Sequence, residues 1–119
     1  MNDVKVSIII PVYNVERYLK ECLDSVVNQT LKDIAIICIN DGSTDETLNK
    51  LIEEFNLVSI NEPFKVSIKT ENVRGVYRSV EFINLVVVDK ENGGKADALN
   101  AGINISQYPV FVSVDADCV

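Results

Sequence analysis

Two hydrophobic periods alternate along this chain. Val4-Lys5-Val6-Ser7-Ile8-Ile9-Ile10 ends in a continuous apolar run, the pattern of a strand buried on both faces of a parallel sheet, and Pro11 is expected to stop it. Leu19, Cys22, Leu23, Val26 and Val27 then fall at i, i+3, i+4, i+7 and i+8. That spacing predicts one helix face, capped by Asn14 and fading near Gln29-Thr30. Ile34-Ala35-Ile36-Ile37-Cys38-Ile39 predicts a second buried strand, ending at Asn40-Asp41-Gly42. Ser43-Thr44-Asp45-Glu46 has the S-x-x-E form of a capping box, and Leu48, Leu51, Ile52 and Phe55 give the next helix its apolar face. Leu85-Val86-Val87-Val88-Asp89 predicts a third strand, followed by a turn at Glu91-Asn92-Gly93-Gly94. Lys95 to Ile105 reads as a helix with Ala96, Leu99 and Ile103 inward, and Val110 to Val114 as a fourth strand.

Residues 56–84 carry no sustained period, and Pro63 and Gly75 interrupt them. They read as an irregular insertion with fragments of β structure, of which Val66-Ser67-Ile68 is one candidate. The order β-α-β-α-(insertion)-β-α-β implies βαβ crossovers and an α/β fold: a three-layer α/β/α sandwich on a mostly parallel sheet. Ligands of such folds gather beyond the carboxyl ends of the strands. Four polar clusters fall at those ends: Tyr13-Asn14, Asn40-Asp41-Gly42, Asn92-Gly93-Gly94-Lys95 and Asp115-Ala116-Asp117. Their shared position is the strongest physical sign of a site.

Composition narrows the chemistry. At 119 residues the chain is one small domain, 1–119, large enough for a core. A net charge of -7 argues against nucleic acid or an anionic membrane as partner, although a metal and backbone N–H groups can still bind an anionic nucleotide. The chain has no histidine, which removes the usual general base near neutral pH. Cys22, Cys38 and Cys118 form no CxxC and read as reduced thiols, the first two in the core. With no signal peptide before Val4 and no apolar run near the roughly 20 residues that span a bilayer, the expected location is cytoplasmic.

Each cluster has a functional and a plain reading. Tyr13 offers a stacking platform for a base, or is a partly buried loop tyrosine. Asp41 can accept a hydrogen bond from a base imide N–H, or belongs to a turn before a capped helix. Gly93-Gly94-Lys95 suits a phosphate, with open backbone at a helix N-terminus and a point charge, or is an ordinary glycine turn. Asp115 and Asp117 form a hard-oxygen pair suited to Mg²⁺ or Mn²⁺ carrying a diphosphate, or are solvated loop carboxylates.

Ser7-Ile8-Ile9-Ile10-Pro11-Val12-Tyr13-Asn14, Asn40-Asp41-Gly42-Ser43-Thr44-Asp45 and Asp115-Ala116-Asp117 together resemble the family 2 glycosyltransferases of GT-A fold. The likeness covers nearly the whole chain outside 56–84. Residues 1–48 are most similar to bacterial capsule and exopolysaccharide transferases. Later residues, above all Asn84 to Asn100, are more similar to processive synthases of the hyaluronan and poly-N-acetylglucosamine type. The resemblance implies a Rossmann-like nucleotide-sugar site, most often for a UDP-sugar. Pro11, Val12, Tyr13 and Asn14 would line the base, with Tyr13 stacking, and Asp41 would bind the uracil edge. Lys95 would approach the phosphates and Asp97 would help order that loop. Asp115 would contact ribose or metal, and Asp117 would ligate Mg²⁺ or Mn²⁺.

The reaction implied is a single displacement at the anomeric carbon with inversion, onto a glycan or lipid-linked acceptor. It needs a carboxylate base, which the resemblance puts beyond Val119. The chain therefore reads as the donor-binding part of a parent enzyme, inactive alone and truncated after the Asp-x-Asp motif. The resemblance implies a parent at the cytoplasmic face of a membrane. Apolar surface near Val110 to Val119 and open strand edges would then favour self-association. Two other readings stand beside it. One is an α/β module that folds without activity. The other is a phosphoacceptor receiver domain, disfavoured because Pro11-Val12-Tyr13-Asn14, not an acidic pair, follows the first strand.

Overall fold

The computed structural model describes residues 6–14, 19–27, 34–60, 68–82, 84–106 and 110–114. In chain order the elements are β1 (Val6–Val12), α1 (Leu19–Val27), β2 (Ile34–Asp41), α2 (Thr47–Phe55), β3 (Leu57–Ile60), β4 (Val73–Ser79), β5 (Leu85–Lys90), α3 (Lys95–Ile105) and β6 (Val110–Ser113). They build one six-stranded sheet in the order β3-β4-β5-β2-β1-β6. β5, β2, β1 and β6 run parallel, while β3 and β4 add an antiparallel edge. The fold is thus α/β with a mixed, mainly parallel sheet.

The two faces of the sheet bury separate cores. Ile10, Val12, Ile36, Cys38 and Val87 pack with Leu23 of α1 and with Leu51 and Phe55 of α2. Ile9, Ile37, Ile39, Val86 and Val88 pack with Ala98 and Ala101 of α3 on the opposite face. Alternate residues of β1, β2 and β5 feed opposite layers, which is why these strands read as unbroken apolar runs.

Several expectations change in detail. β1 does not stop at Pro11 but continues to Val12. The Ile9 carbonyl accepts the Val114 N–H, so the backbone at residue 11, two further on, turns to that same side. The last β1–β6 pair is Ile9↔Ser113, so the missing N–H of Pro11 costs no ladder bond. Within 56–84, the expected fragments of β structure form two paired strands, β3 and β4. β3 follows α2 at once because Asn56 takes the left-handed conformation (φ 50°) and ends the helix. Val66 and Ser67 lie outside the described residues. Ile68 is not in a strand; both its backbone groups bond the Asn104 side chain, at 2.9 and 2.7 Å.

The helices shift too. Glu46, not Ser43, is the residue before α2 and makes no capping bond. The Asp45 carboxylate caps instead, accepting the Thr47 N–H at 3.0 Å and the Thr47 hydroxyl. On α2, Leu51 and Phe55 are buried and Ile52 is partly buried against them. On α1, Leu23 is fully buried, while the side chains of Leu19, Cys22, Val26 and Val27 lie outside the described set. Ala96 of α3 is exposed, and the buried stripe is Ala98, Ala101 and Gly102. Small residues dominate there because the helix lies close on β1: a Cβ on Gly102 would sit 2.5 Å from Ile9 Cγ2.

β6 forms an open sheet edge, with Val110, Phe111 and Val112 all exposed. Cys38 is buried and forms no disulfide. No helix among the described residues is long and apolar enough to cross a membrane. The close approach of α3 to Ile9 predicts that Gly102→Val lowers stability by about 1–3 kcal/mol through overpacking, read as a lower denaturant midpoint with unchanged slope.

Candidate functional site

At the carboxyl ends of β1, β2 and β5 the sheet opens into a cleft of about 460 Å³, lined by Pro11, Val12, Tyr13, Asp41, Asn92, Gly94 and Lys95. Three separate chain segments supply it. Tyr13 follows β1 directly and is half exposed, leaving ring surface available on the cleft wall. Asp41 is the last residue of β2 and is buried. Gly94 precedes α3 and Lys95 opens it.

A buried ammonium organises these ends. Lys90 closes β5 with its side chain fully buried, and the parallel register sets it beside Asp41. Its Nζ donates to Asp41 Oδ1 at 2.5 Å and to the Glu91 carbonyl at 2.6 Å. The Asp97 carboxylate, from the first turn of α3, lies 2.6 Å away. An ammonium has three donors, and all three are occupied. Burial pushes the Lys90 ammonium down, but hydrogen bonds and charge from Asp41 and Asp97 outweigh it and hold the group above its ordinary value of 10.5.

The Asp41 carboxylate has further partners. Gly93 N–H donates to Oδ1 at 3.1 Å and Gly94 N–H to Oδ2 at 3.0 Å. With Lys90, that fills three of the roughly four acceptor positions of a carboxylate, leaving one on Oδ2. The Asp41 carbonyl accepts from Asn92 Nδ2 at 2.9 Å. The two loops cross closely at Gly42 (φ 69°), where a Cβ would lie 2.5 Å from the Asn92 nitrogen. Gly94 also has positive φ (94°), a conformation that presents its backbone at the start of α3. The first N–H groups of a helix have no partner within it, so this end favours an anion.

A second polar layer lies alongside. Asp89 Oδ1 accepts from Asn40 Nδ2 at 2.9 Å and from Arg74 at 3.1 Å. Arg74 also donates to the Lys90 carbonyl at 3.1 Å, tying β4 to the end of β5.

Pro11, Val12, Tyr13, Asp41 and Lys95, singled out in the sequence, meet on this one cleft. Asn14 and Asp97 are not among the residues lining the cleft. Asn14 has positive φ (51°) and braces the loop after β2. Its Oδ1 accepts the Thr44 N–H at 2.7 Å, and its N–H donates to Ser43 Oγ at 2.9 Å. It thus braces that loop, while residues 15–18, where it would cap α1, lie outside the described residues. Asp97 lies behind the glycine loop on Lys90, and also accepts the Glu71 N–H at 3.2 Å. Asp115 and Asp117 lie outside the described residues, as does Cys118. Lys90, Asp89, Asn40, Arg74 and Asn92 received no role from the sequence. The available signal was the charged pair Asp89-Lys90 closing an apolar run: a lysine there is buried only if paired.

The Lys90 pairing has a definite pH signature. Because its value is raised in the fold, its stabilisation is complete below the unfolded value near 10.5 and is lost as pH rises through the higher folded value. Unfolding measured from pH 8 to 12 should show this alkaline loss, and Lys90→Met should lack it. The same variant strands two carboxylates and should cost about 3–5 kcal/mol near neutral pH.

Residues 7–119 match the family described as Glycosyl transferase family 2. The chain is 33% identical over 115 residues to glycosyltransferase GlyA of Streptococcus pneumoniae, covering 97% of this chain and 13% of that protein. It is 35% identical over 112 residues to a hyaluronan synthase of Pasteurella multocida, covering 94% of this chain and 9% of that protein. Among solved structures it is similar to S. aureus TarS 1-349, with a TM-score of 0.66 and 25% identity over 95% of this chain and 27% of that one. The chain thus spans a small part of the length of these relatives. Its match across both cores and every strand end forming the cleft makes it a member of the family 2 glycosyltransferases.

Proposed function

We propose that this chain binds the donor of an inverting glycosyl transfer, a nucleotide-sugar and most readily a UDP-sugar. One observation carries the reading: a single cleft joins an exposed aromatic ring, a buried carboxylate with one acceptor position left, and the start of helix α3 with Lys95. These three features match the three parts of a nucleoside diphosphate. The base stacks on Tyr13 and donates its imide N–H to Asp41. The diphosphate meets the first turn of α3 and the Lys95 ammonium.

A divalent cation, Mg²⁺ or Mn²⁺, belongs to the same reading. β6 runs parallel to β1, so the chain leaves Val114 at the sheet end that carries the cleft, with Asp115 and Asp117 next in sequence. Among the described residues no group of three or more acidic, cysteine or histidine side chains is placed to hold a metal. Two carboxylates are enough for a cation that retains waters and takes phosphate oxygens. When bound, the metal stabilises charge on the departing nucleoside diphosphate. Asp115 and Asp117 would hold it. The acceptor, its carboxylate base and the cytoplasmic setting are parts of this proposal.

Calorimetric titration with UDP, with and without Mn²⁺, tests it. Metal-dependent binding is expected, and Asp117→Asn should remove the dependence on metal. Tyr13→Ala should weaken binding by roughly 5- to 150-fold, the equivalent of about 1–3 kcal/mol of stacking. Absence of heat at millimolar UDP would reject the donor site and leave an α/β module without activity.

A further inference from the structure

We propose that Lys90 is the positioning residue of the cleft, aiming the Asp41 carboxylate so that its remaining acceptor position selects a base that donates an N–H. The inference rests on the donor-site reading and goes beyond it by naming the residue that sets base selectivity.

Lys90 does not line the cleft, so it acts through other groups. Its three bonds each fix a different segment. The bond to Asp41 Oδ1 sets the carboxylate at the end of β2. The bond to the Glu91 carbonyl fixes the first residue after β5. The contact with Asp97 holds the first turn of α3. Between the last two lies the loop whose Gly93 and Gly94 N–H groups grip the same carboxylate. Lys90 therefore restrains Asp41 directly and also places its other two donors.

The charge pattern supports the assignment. A buried lysine with two carboxylates leaves the trio with one net negative charge, which suits a hydrogen-bond donor and repels an acceptor. Uracil offers an N–H at ring position 3, where cytosine offers a bare nitrogen. The chemistry thus predicts preference for UDP over CDP, two ligands with the same ribose and diphosphate. A charge-assisted hydrogen bond of this kind corresponds to a preference of roughly 10-fold or more.

The test compares UDP and CDP binding by calorimetry, with Mn²⁺ present. The wild-type chain should favour UDP about 10-fold or more. Lys90→Met should bring UDP affinity down to that of CDP, while CDP affinity changes much less. A general loss of structure would weaken both ligands equally and leave their ratio intact. Where the single variant does not fold, Lys90→Met/Asp97→Asn removes one charge of each sign and keeps the net charge of the trio. The ratio should collapse in that variant too, with a thermal melt confirming the fold. A variant that folds and keeps the wild-type ratio overturns the role of Lys90 while leaving the donor site standing. A wild-type chain that binds neither nucleotide removes both.

Discussion

The Lys90 ammonium, buried between Asp41 and Asp97, is the interaction on which the shape of the cleft depends. A lysine is tolerated without solvent only when its charge and its three donors are met. Here the partners come from the end of β2, the residue after β5 and the first turn of α3. Satisfying one buried charge thereby ties together three chain segments that the sheet register and the glycine loop bring close. Taking away one partner leaves the rest buried and uncompensated, so the arrangement tolerates little partial disruption.

The sheet makes this convergence possible. β1, β2 and β5 are adjacent and parallel, so their carboxyl ends stand at one edge. On β2 and β5, side chains before that edge fill the two cores, and polarity appears only in the last residues: Asn40-Asp41 on β2 and Asp89-Lys90 on β5. The register pairs these residues one to one, Asn40 with Asp89 and Asp41 with Lys90. The Asn40–Asp89 bond and the Asp41–Lys90 ion pair are thus neighbouring rungs of one ladder. The antiparallel edge contributes through Arg74, which braces Asp89 from β4.

Much of this was legible in the residues. The apolar runs at 34–39 and 85–89 mark central strands because both faces are covered, and the helical spacing of Leu51 and Phe55 marks the buried face of α2. The polar clusters at strand ends located Tyr13, Asp41 and Lys95 on a common cleft. What escaped were features settled by contacts distant in sequence. Pro11 reads as a stop, and only the short reach of β6 explains why β1 passes through it. Ala96 looks as apolar as Ala98, and only the approach of α3 to Ile9 decides which is buried. β3 is only four residues long and β4 carries a register shift between Val73 and Gly75, so neither sustains an alternation. Lys90 is the clearest case. Its role depends on partners from 41 and 97, whose proximity is a product of the crossover and not of local pattern.

Membership in family 2 gives the cleft its chemical context, and the geometry brings Tyr13, Asp41 and Lys95 together on it. The most direct measurement is a crystal structure of this chain grown with UDP and Mn²⁺. The account predicts the base against the Tyr13 ring, its imide nitrogen within hydrogen-bonding distance of Asp41 Oδ2, and the diphosphate at the first turn of α3 and Lys95, with Lys90 still bridging Asp41 and Asp97. A nucleotide bound away from the β1, β2 and β5 ends, or a base that leaves Asp41 untouched, would contradict it.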